Sequence, residues 1–222
     1  MLKIHGVPIS VHTRKVIVAA IEKKLEFVNE PVIPFRPPAG WDKLSPTGKI
    51  PIAQDGERVV RDSSVICAYL ERVHPQPPLY PADAADYAEA LWFEEYADGT
   101  VFREVVHGLF FQKIIRPGML GQETDQAAID AILREALPRV FGYLEASLTT
   151  GFLAGGRFSI ADIALISNLV NFRYLGHEIE RRAYPRLAAY FNRQLERPSI
   201  RRALGTEQPV AASMGLHTAI GK

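Results

Sequence analysis

The chain has 222 residues, of which 47% are hydrophobic, and its 26 Lys and Arg residues balance 25 Asp and Glu residues to a formal net charge of +1. This length and composition predict a folded protein with one large domain or two small ones. The balanced charge argues against an electrostatic grip on nucleic acid or on an anionic membrane, so we expect a small or neutral partner.

Three further signals narrow the class of protein. No apolar stretch approaches the roughly 18 residues of a membrane span, and the opening MLKIHGVPIS enters a strand pattern without a signal-peptide core. Cys67 is the only cysteine, which excludes an intrachain disulfide and agrees with a reducing compartment. No two histidines have the i, i+4 spacing of a helical metal site. We therefore expect a cytoplasmic protein without a metal.

The first 75 residues alternate strand and helix signals. The turn at Asp55-Gly56 joins two of the strands as a hairpin. In chain order the predicted elements are a strand at 2–6, a helix at 11–24, a strand at 27–33, a short helix at 41–44, strands at 50–54 and 58–61, and a helix at 62–73. The order is βαβ followed by ββα.

The segment HPQPPLYP (74–81) contains four prolines, which break any helix. After it the sequence pattern changes from mixed strand and helix signals to helix signals alone. We place a linker at 76–83. Amphipathic segments at about 84–115, 124–148, 160–175 and 184–196 then predict an all-helical second domain, 84–222. We expect the last 18 or so residues to form a covering tail or to fray.

Pro51 interrupts an apolar run that otherwise reads as a buried strand, in SPTGKIPIAQD (45–55). Proline has no backbone N–H for a strand ladder, so Pro51 either lies on an edge strand or forms a cis bond that exposes the backbone of Ile50 to a ligand. The residues of this segment alone leave both interpretations open.

Ser10 and the pair Asp62-Ser63 each stand directly after a strand and at the start of a helix. Taken singly, each is a favoured helix N-cap, and capping is the simpler interpretation. Together they place two helix N-termini at the same end of a small sheet as Pro51. Because a helix N-terminus presents free N–H groups, this arrangement predicts an anion-binding site.

The segments GVPIS (6–10), SPTGKIP (45–51) and RDSSVICAYL (61–70) resemble the cytosolic glutathione transferases. With Arg14-Lys15-Val16, the first segment is most similar to the serine-type phi class. The resemblance covers essentially the whole chain. It implies a thioredoxin-like glutathione-binding domain (1–75), a linker (76–83) and a helical domain (84–222) with a hydrophobic co-substrate pocket. It also implies a detoxifying homodimer that conjugates the glutathione thiolate to small hydrophobic electrophiles.

The resemblance gives the candidate residues their roles. Ser10 is expected to donate a hydrogen bond to the glutathione sulfur. Pro51 is expected to be cis, so that Ile50 pairs through its backbone with the cysteinyl part of the tripeptide. Asp62 and Ser63 are expected to receive the γ-glutamyl end, with Asp62 facing the α-amino group.

The glycine end of glutathione is where this sequence departs from the phi pattern. Pro37-Pro38 stands where that class usually has a basic pair, so Arg36 or Lys49 would have to approach the glycine carboxylate instead.

In the helical domain, the resemblance places His107, Phe111 and Met119 near the electrophile, with core packing as the alternative for each. Two further interpretations are structural: Cys67 as a core residue, and the cluster of Glu94, Glu95 and Asp98 as a solvated helix face.

A folding signal precedes the helix predicted at 160–175. Ser159 and Asp162 have the spacing of a capping box, and Phe158 and Ile163 have the spacing of a hydrophobic staple. This motif is also similar to one in the same family, and we expect its role to be structural.

Two alternatives to conjugation remain open from the sequence. One is a noncatalytic glutathione-binding or protein-interaction module on the same fold. The other is a glutathione-dependent isomerase, dehalogenase or peroxidase, which would use the same thiolate with a different second pocket.

Overall fold

The computed structural model describes residues 1–218, and its N-terminal domain is built on a four-stranded sheet. The strands are β1 (Leu2–His5), β2 (Phe27–Glu30), β3 (Ile52–Asp55) and β4 (Arg58–Arg61). Their spatial order is β2-β1-β3-β4. Strand β1 runs parallel to β2 and antiparallel to β3, which forms the predicted hairpin with β4.

Three helices complete this domain: α1 (Val11–Glu22), α2 (Trp41–Leu44) and α3 (Ser63–Val73). The predicted order of βαβ followed by ββα is confirmed. Three strands are shorter than predicted: β1 ends at His5 instead of residue 6, and proline explains the other two. Strand β2 ends at Glu30 because Pro31 follows, and β3 begins at Ile52 because Pro51 cannot donate to the ladder.

The C-terminal domain is helical, as predicted. Helix α4 runs without a break over 84–119, and helix α5 runs over 126–147. Both include stretches with the wider π-type hydrogen bonding, Tyr96–Val106 and Phe111–Ile115 in α4 and Ile132–Ala136 in α5. The remaining helices are α6 (Ile160–Tyr174), α7 (Pro185–Leu195) and α8 (Pro198–Ser213).

The expectation that the last 18 or so residues form a tail or fray is wrong for the first half of that segment. Residues up to Ser213 belong to α8, although Pro209 lies inside it. Glu207 and Ala211 are both fully buried, so this helix is packed on both sides of the proline. Residues 219–222, the end of the predicted tail, lie outside the described residues.

Helix α6 is the centre of the molecule. It packs against α4 on one side and against α1 of the N-terminal domain on another, and nearly all of its residues are buried. One continuous core therefore spans both domains. A separate small cluster of Val32, Trp41 and Ile52 holds the α2 segment to the sheet, and Ile50 packs against it.

The capping box at the start of α6 is confirmed. The Ser159 N–H donates to Asp162 Oδ2 at 2.9 Å, and Phe158 and Ile163 both join the core. Asp162 also accepts a hydrogen bond from the Tyr190 hydroxyl of α7 at 2.9 Å. The box therefore fixes the start of the central helix and ties it to a neighbour.

No helix in the part of the chain described here, residues 1–218, is both long and apolar enough to cross a membrane.

We predict that Ser159→Ala lowers the free energy of unfolding by about 1 kcal/mol, because one arm of the capping box is lost. Urea unfolding followed by circular dichroism measures this change. Ser213→Ala, at an exposed position near the end of α8, is the matched control and should have little effect. Loss of ligand binding at the site around Ser10 in a fully folded Ser159→Ala protein would contradict a structural role.

Candidate functional site

The three predicted motifs meet at one end of the sheet. His5, at the end of β1, pairs with Ile52, and Ile52 pairs with Arg61 at the end of β4. The loop to Ser10 follows His5, the Ile50–Pro51 bond directly precedes Ile52, and Asp62-Ser63 directly follows Arg61. The register therefore brings two helix N-termini and the proline turn to the same edge, as the sequence predicted.

The Ile50–Pro51 peptide bond is cis, as the resemblance implied. Pro51 is buried and Ile50 is half-buried. Gly6 allows this close approach: a Cβ built on it would overlap the Thr13 hydroxyl and lie 3.3 Å from Ile50 Cβ. The loop that carries Ser10 is thus packed directly against the proline turn.

Ser10 occupies the N-cap position of α1, with φ −66° and ψ 131°. Its side chain makes no capping hydrogen bond, and it is half-buried at the start of the helix. The capping interpretation is therefore wrong for the Ser10 hydroxyl. The hydroxyl remains available to a ligand at a helix N-terminus, where an anion is favoured.

Asp62 does cap its helix. Its Oδ1 accepts hydrogen bonds from the Ser64 N–H at 2.9 Å and the Val65 N–H at 3.3 Å. Asp62 has φ 73° and ψ 138°, a conformation that costs a non-glycine residue about 1 to 3 kcal/mol. Its Oδ2 makes no hydrogen bond to any residue from 1 to 218, so one carboxylate oxygen is left for another partner. The neighbouring Ser63 is buried, at 4% exposure.

The structure does not bring the remaining predicted residues together as closely. Lys49 is exposed and contributes only backbone hydrogen bonds, one of them from Ser45 Oγ to its carbonyl at 2.7 Å. His107 is exposed and lies 5.4 Å from the Phe102 ring, which in turn lies 4.7 Å from the ring of His12 in the first turn of α1. Phe102 was not predicted, and it links His107 to the Ser10 side of the molecule.

Phe111 is half-buried and Met119 is 47% exposed. A cavity of about 410 Å³ lies between the end of α6 and helix α7, where Arg173, Arg181 and Phe191 line it. A second cavity, of about 250 Å³, lies beside Met1 and His74. Neither contains a predicted site residue. We refer to the sheet edge that carries Ser10, Ile50, Asp62 and Ser63 as the groove.

The expectation of a solvated face at Glu94 and Asp98 is wrong. Lys15 of α1 is fully buried, and its ammonium group binds Glu94 at 2.8 Å, Asp98, and Ser64 Oγ at 2.8 Å. Burial alone would lower the pKa of Lys15, but the carboxylates of Asp98 and Glu94 raise it above the ordinary lysine value. Of the acidic cluster, only Glu95 is exposed. The charges tie α1, α3 and α4 together directly behind the groove.

Arg14, the neighbour of Lys15, makes a second buried network toward the C-terminal domain. Its side chain is 0% exposed. The guanidinium binds both carboxylate oxygens of Glu207 in α8, at 2.7 and 2.5 Å. It also donates to the Ser167 carbonyl at 2.7 Å and to Asn171 Oδ1 at 2.8 Å, both in α6.

Sequence reasoning missed the functions of Arg14 and Lys15. The signal was present: two adjacent basic residues interrupt the apolar residues of α1, which indicates buried charge. Their partners lie far away in the sequence, and no local pattern identifies them. Cys67, by contrast, is a buried core residue as predicted, and burial raises the pKa of its thiol.

Among residues 1–218, no group of three or more His, Cys, Asp or Glu side chains is placed to hold a metal ion.

Comparisons with known proteins agree with this geometry. Residues 4–78 match the glutathione S-transferase N-terminal domain, and residues 122–193 match the C-terminal domain. FtsZ-localized protein A of Caulobacter vibrioides is 29% identical over 215 residues, which cover 93% of this chain and 92% of that protein. Glutathione S-transferase 1 of Zea mays is 30% identical over 169 residues, 75% of this chain and 77% of that protein.

A solved structure of a glutathione S-transferase from Rhodospirillum rubrum F11 superposes with a TM-score of 0.84 at 26% identity, covering 92% of each chain. The chain therefore belongs to the glutathione S-transferase family. Proteins of that family use glutathione.

We predict that Lys15→Met lowers the free energy of unfolding by about 3 to 5 kcal/mol, because it leaves two buried carboxylates without a counter-charge. The control is Lys3→Met, which removes an exposed pair with Glu30 at 3.2 Å and should cost at most about 1 kcal/mol. Chemical unfolding of both variants measures the difference. Equal losses of unfolding free energy in the two variants would show that the buried cluster around Lys15 stabilises the fold no more than a surface pair does.

Proposed function

We propose that this protein is a serine-type glutathione transferase, most similar to the phi class, that conjugates the glutathione thiolate to small hydrophobic electrophiles. The observation that carries the proposal is the Ser10 hydroxyl, which makes no capping hydrogen bond and stands at a helix N-terminus, in a loop whose Gly6 packs against Ile50 of the cis Ile50–Pro51 bond. In this proposal Ser10 donates a hydrogen bond to the glutathione sulfur and so favours its ionised form.

The energetics of thiol activation fit this role. A thiol with a pKa near 8.5 is only a few per cent ionised at pH 7, so activation by about two pKa units requires about 2.7 kcal/mol. A hydrogen bond to a charged group supplies about 1.5 to 3 kcal/mol, and a helix N-terminus adds about 0.3 to 1 kcal/mol. Ser10 and α1 together are sufficient without a general base, and the proton leaves to solvent.

The other groove residues would hold the tripeptide. Ile50, which precedes the cis bond at Pro51, offers its backbone N–H and C=O to the cysteinyl unit. Ser63 binds the γ-glutamyl carboxylate through its hydroxyl and its own backbone N–H at the N-terminus of α3. Asp62, with Oδ2 free of other hydrogen bonds, faces the α-amino group. Lys49, exposed and adjacent to Ile50, takes the glycine carboxylate.

We propose that the electrophile lies along the side of α4 that faces α1. His107 is placed there through its contact with Phe102. Phe111 and Met119 continue along the same helix and provide apolar surface further from Ser10. The proposed domain division is 1–75 for glutathione, 76–83 for the linker and 84–222 for the electrophile, in a cytoplasmic protein.

We predict that Ser10→Ala keeps glutathione binding but lowers kcat/KM for a generic aromatic electrophile by about 10- to 150-fold, the value of one hydrogen bond to a charged sulfur. Calorimetric titration measures the binding, and a conjugation assay measures the rate. Ser63→Ala should give the opposite pattern, with weaker glutathione binding as its main effect. A Ser10→Ala variant as fast as the wild type would remove Ser10 from the mechanism.

A second candidate function is a protein-interaction module without conjugating activity. The match to FtsZ-localized protein A favours it, because that alignment spans nearly the whole chain, whereas the Zea mays alignment spans three quarters. The two functions separate in the same experiment. A wild-type protein that binds no glutathione but sediments with FtsZ polymers would support the module. Binding without conjugation would instead direct the assay to isomerase, dehalogenase and peroxidase substrates.

We also propose a homodimer, in which the first domain of one subunit packs on the second domain of the other. Exposed apolar side chains on both domains support this arrangement, among them Val65 and Val73 of α3 and Trp92 of α4. Trp92 donates a hydrogen bond to the Tyr143 hydroxyl at 2.7 Å, and Tyr96 packs on the same Tyr143 ring at 4.8 Å. This exposed aromatic cluster is a surface suited to a second copy.

We predict a mass near twice the 24.7 kDa of the chain in light scattering. Trp92→Glu should shift the population toward the monomer, because it places a charge in the aromatic cluster. Met214→Glu, at another exposed apolar position, should leave the mass unchanged. A monomeric wild type at micromolar concentration would refute the proposal.

A further inference from the structure

The Ile9–Ser10 peptide group is held from both sides. Its carbonyl oxygen accepts hydrogen bonds from Asn171 Nδ2 at 3.2 Å and from Arg14 Nη2 at 3.4 Å. Its N–H donates to the Val7 carbonyl at 3.1 Å. The next peptide is also fixed, since the Ser10 carbonyl accepts the first helical hydrogen bond of α1, from the Arg14 N–H at 2.8 Å. The backbone on either side of Ser10 therefore has little freedom to rotate.

Asn171 is the contribution of the C-terminal domain to this arrangement. It lies in α6, 162 residues from Ile9 in sequence, and it bridges two partners: its Oδ1 accepts from Arg14 and its Nδ2 donates to Ile9. The Arg14 guanidinium is held in place because it donates two hydrogen bonds to the Glu207 carboxylate. Tyr174 contacts both members of the ion pair. Its hydroxyl donates a hydrogen bond to Glu207 Oε2 at 3.2 Å, and the Arg14 guanidinium lies over its ring.

We propose that Asn171 and Arg14 are positioning residues for Ser10: they fix the plane of the Ile9–Ser10 peptide and thereby set where the Ser10 hydroxyl meets the glutathione sulfur. This inference rests on the proposed function of Ser10. Among the described residues, neither side chain shares a hydrogen bond with Ile50 or Ser63, so we expect both to lie outside the glutathione contacts. The C-terminal domain thus contributes to the activation of the thiol as well as to the electrophile pocket.

Activation of the thiol should be sensitive to the position of the Ser10 hydroxyl for a geometric reason. The strength of a hydrogen bond falls steeply as its length and angle depart from the optimum, and a displacement of about 1 Å in a catalytic group is enough to lose much of its effect. Rotation of the Ile9–Ser10 peptide would move the Ser10 Cβ and change both quantities. Glutathione binding, which depends on other groups, would change much less.

The test is the pKa of the glutathione thiol in the binary complex, measured from the ultraviolet absorbance of the thiolate as pH is varied. For Asn171→Leu we expect this pKa to rise by about one unit, a tenfold loss in the ionisation constant, with the glutathione dissociation constant changed less than about threefold. kcat at neutral pH should fall with the thiolate fraction while KM for glutathione stays nearly constant, which a loss of stability alone would not produce.

Asn168→Leu is the matched control. Asn168 lies about one turn earlier in α6 and is also buried, but its Nδ2 donates to the Ala164 carbonyl of its own helix. It should leave the thiol pKa at the wild-type value whatever it does to stability. If Asn171→Leu does not fold, Asn171→Ala replaces it, since the smaller side chain also removes the donor to Ile9 and adds no charge.

The outcomes separate this inference from the proposed function. A wild type that lowers the thiol pKa, together with a folded Asn171 variant that lowers it equally, overturns the positioning role and leaves Ser10 in place. A rise in the pKa of the glutathione thiol in the Asn171 variant, without such a rise in Asn168→Leu, supports the positioning role. A wild type that binds glutathione without lowering the thiol pKa overturns both.

Discussion

The ion pair between Arg14 and Glu207 is the interaction on which the rest of this structure depends. Both side chains are 0% exposed, and they stand 193 residues apart in the sequence. Burying two charges is costly, and such a pair is tolerated only when its geometry is good and every remaining hydrogen-bonding group is satisfied. Here the pair is bidentate, and the carbonyl of Ser167 and the amide of Asn171 take the other guanidinium protons. The domains are therefore joined by a specific polar contact as well as by apolar packing.

Helix α1 has two functions as a result. Its N-cap residue, Ser10, lies at the groove, and in the next turn Arg14 binds Glu207 of the C-terminal domain while Lys15 binds α3 and α4. The chemistry proposed for the groove uses mainly backbone groups and helix N-termini, which carry little sequence information. The side chains that hold those groups in place lie one layer deeper, where they are buried and joined by several hydrogen bonds that resist small displacements.

Local signals were sufficient to predict most of the fold. The hairpin and the capping box at Ser159 each depend on residues within a few positions of one another, and both were placed correctly. The groove was predicted from three short motifs and a family resemblance. What the sequence could not reveal is contact between distant residues: Glu94 looked like part of a solvated face because its partner, Lys15, comes 79 residues earlier. The end of the chain was misjudged for the same reason, since only Arg14 explains why Glu207 is buried.

The position of Glu207 near the end of the chain also bears on biosynthesis. A ribosome completes the sheet, the proline turn and helix α1 long before it adds α8, so through most of translation Arg14 has no carboxylate to bind. A fragment that stops before residue 207 would carry every groove residue and still be left with an unmatched guanidinium where the finished protein has an ion pair. Helix α8 is thus made long after α1, and it supplies the carboxylate that Arg14 of α1 binds.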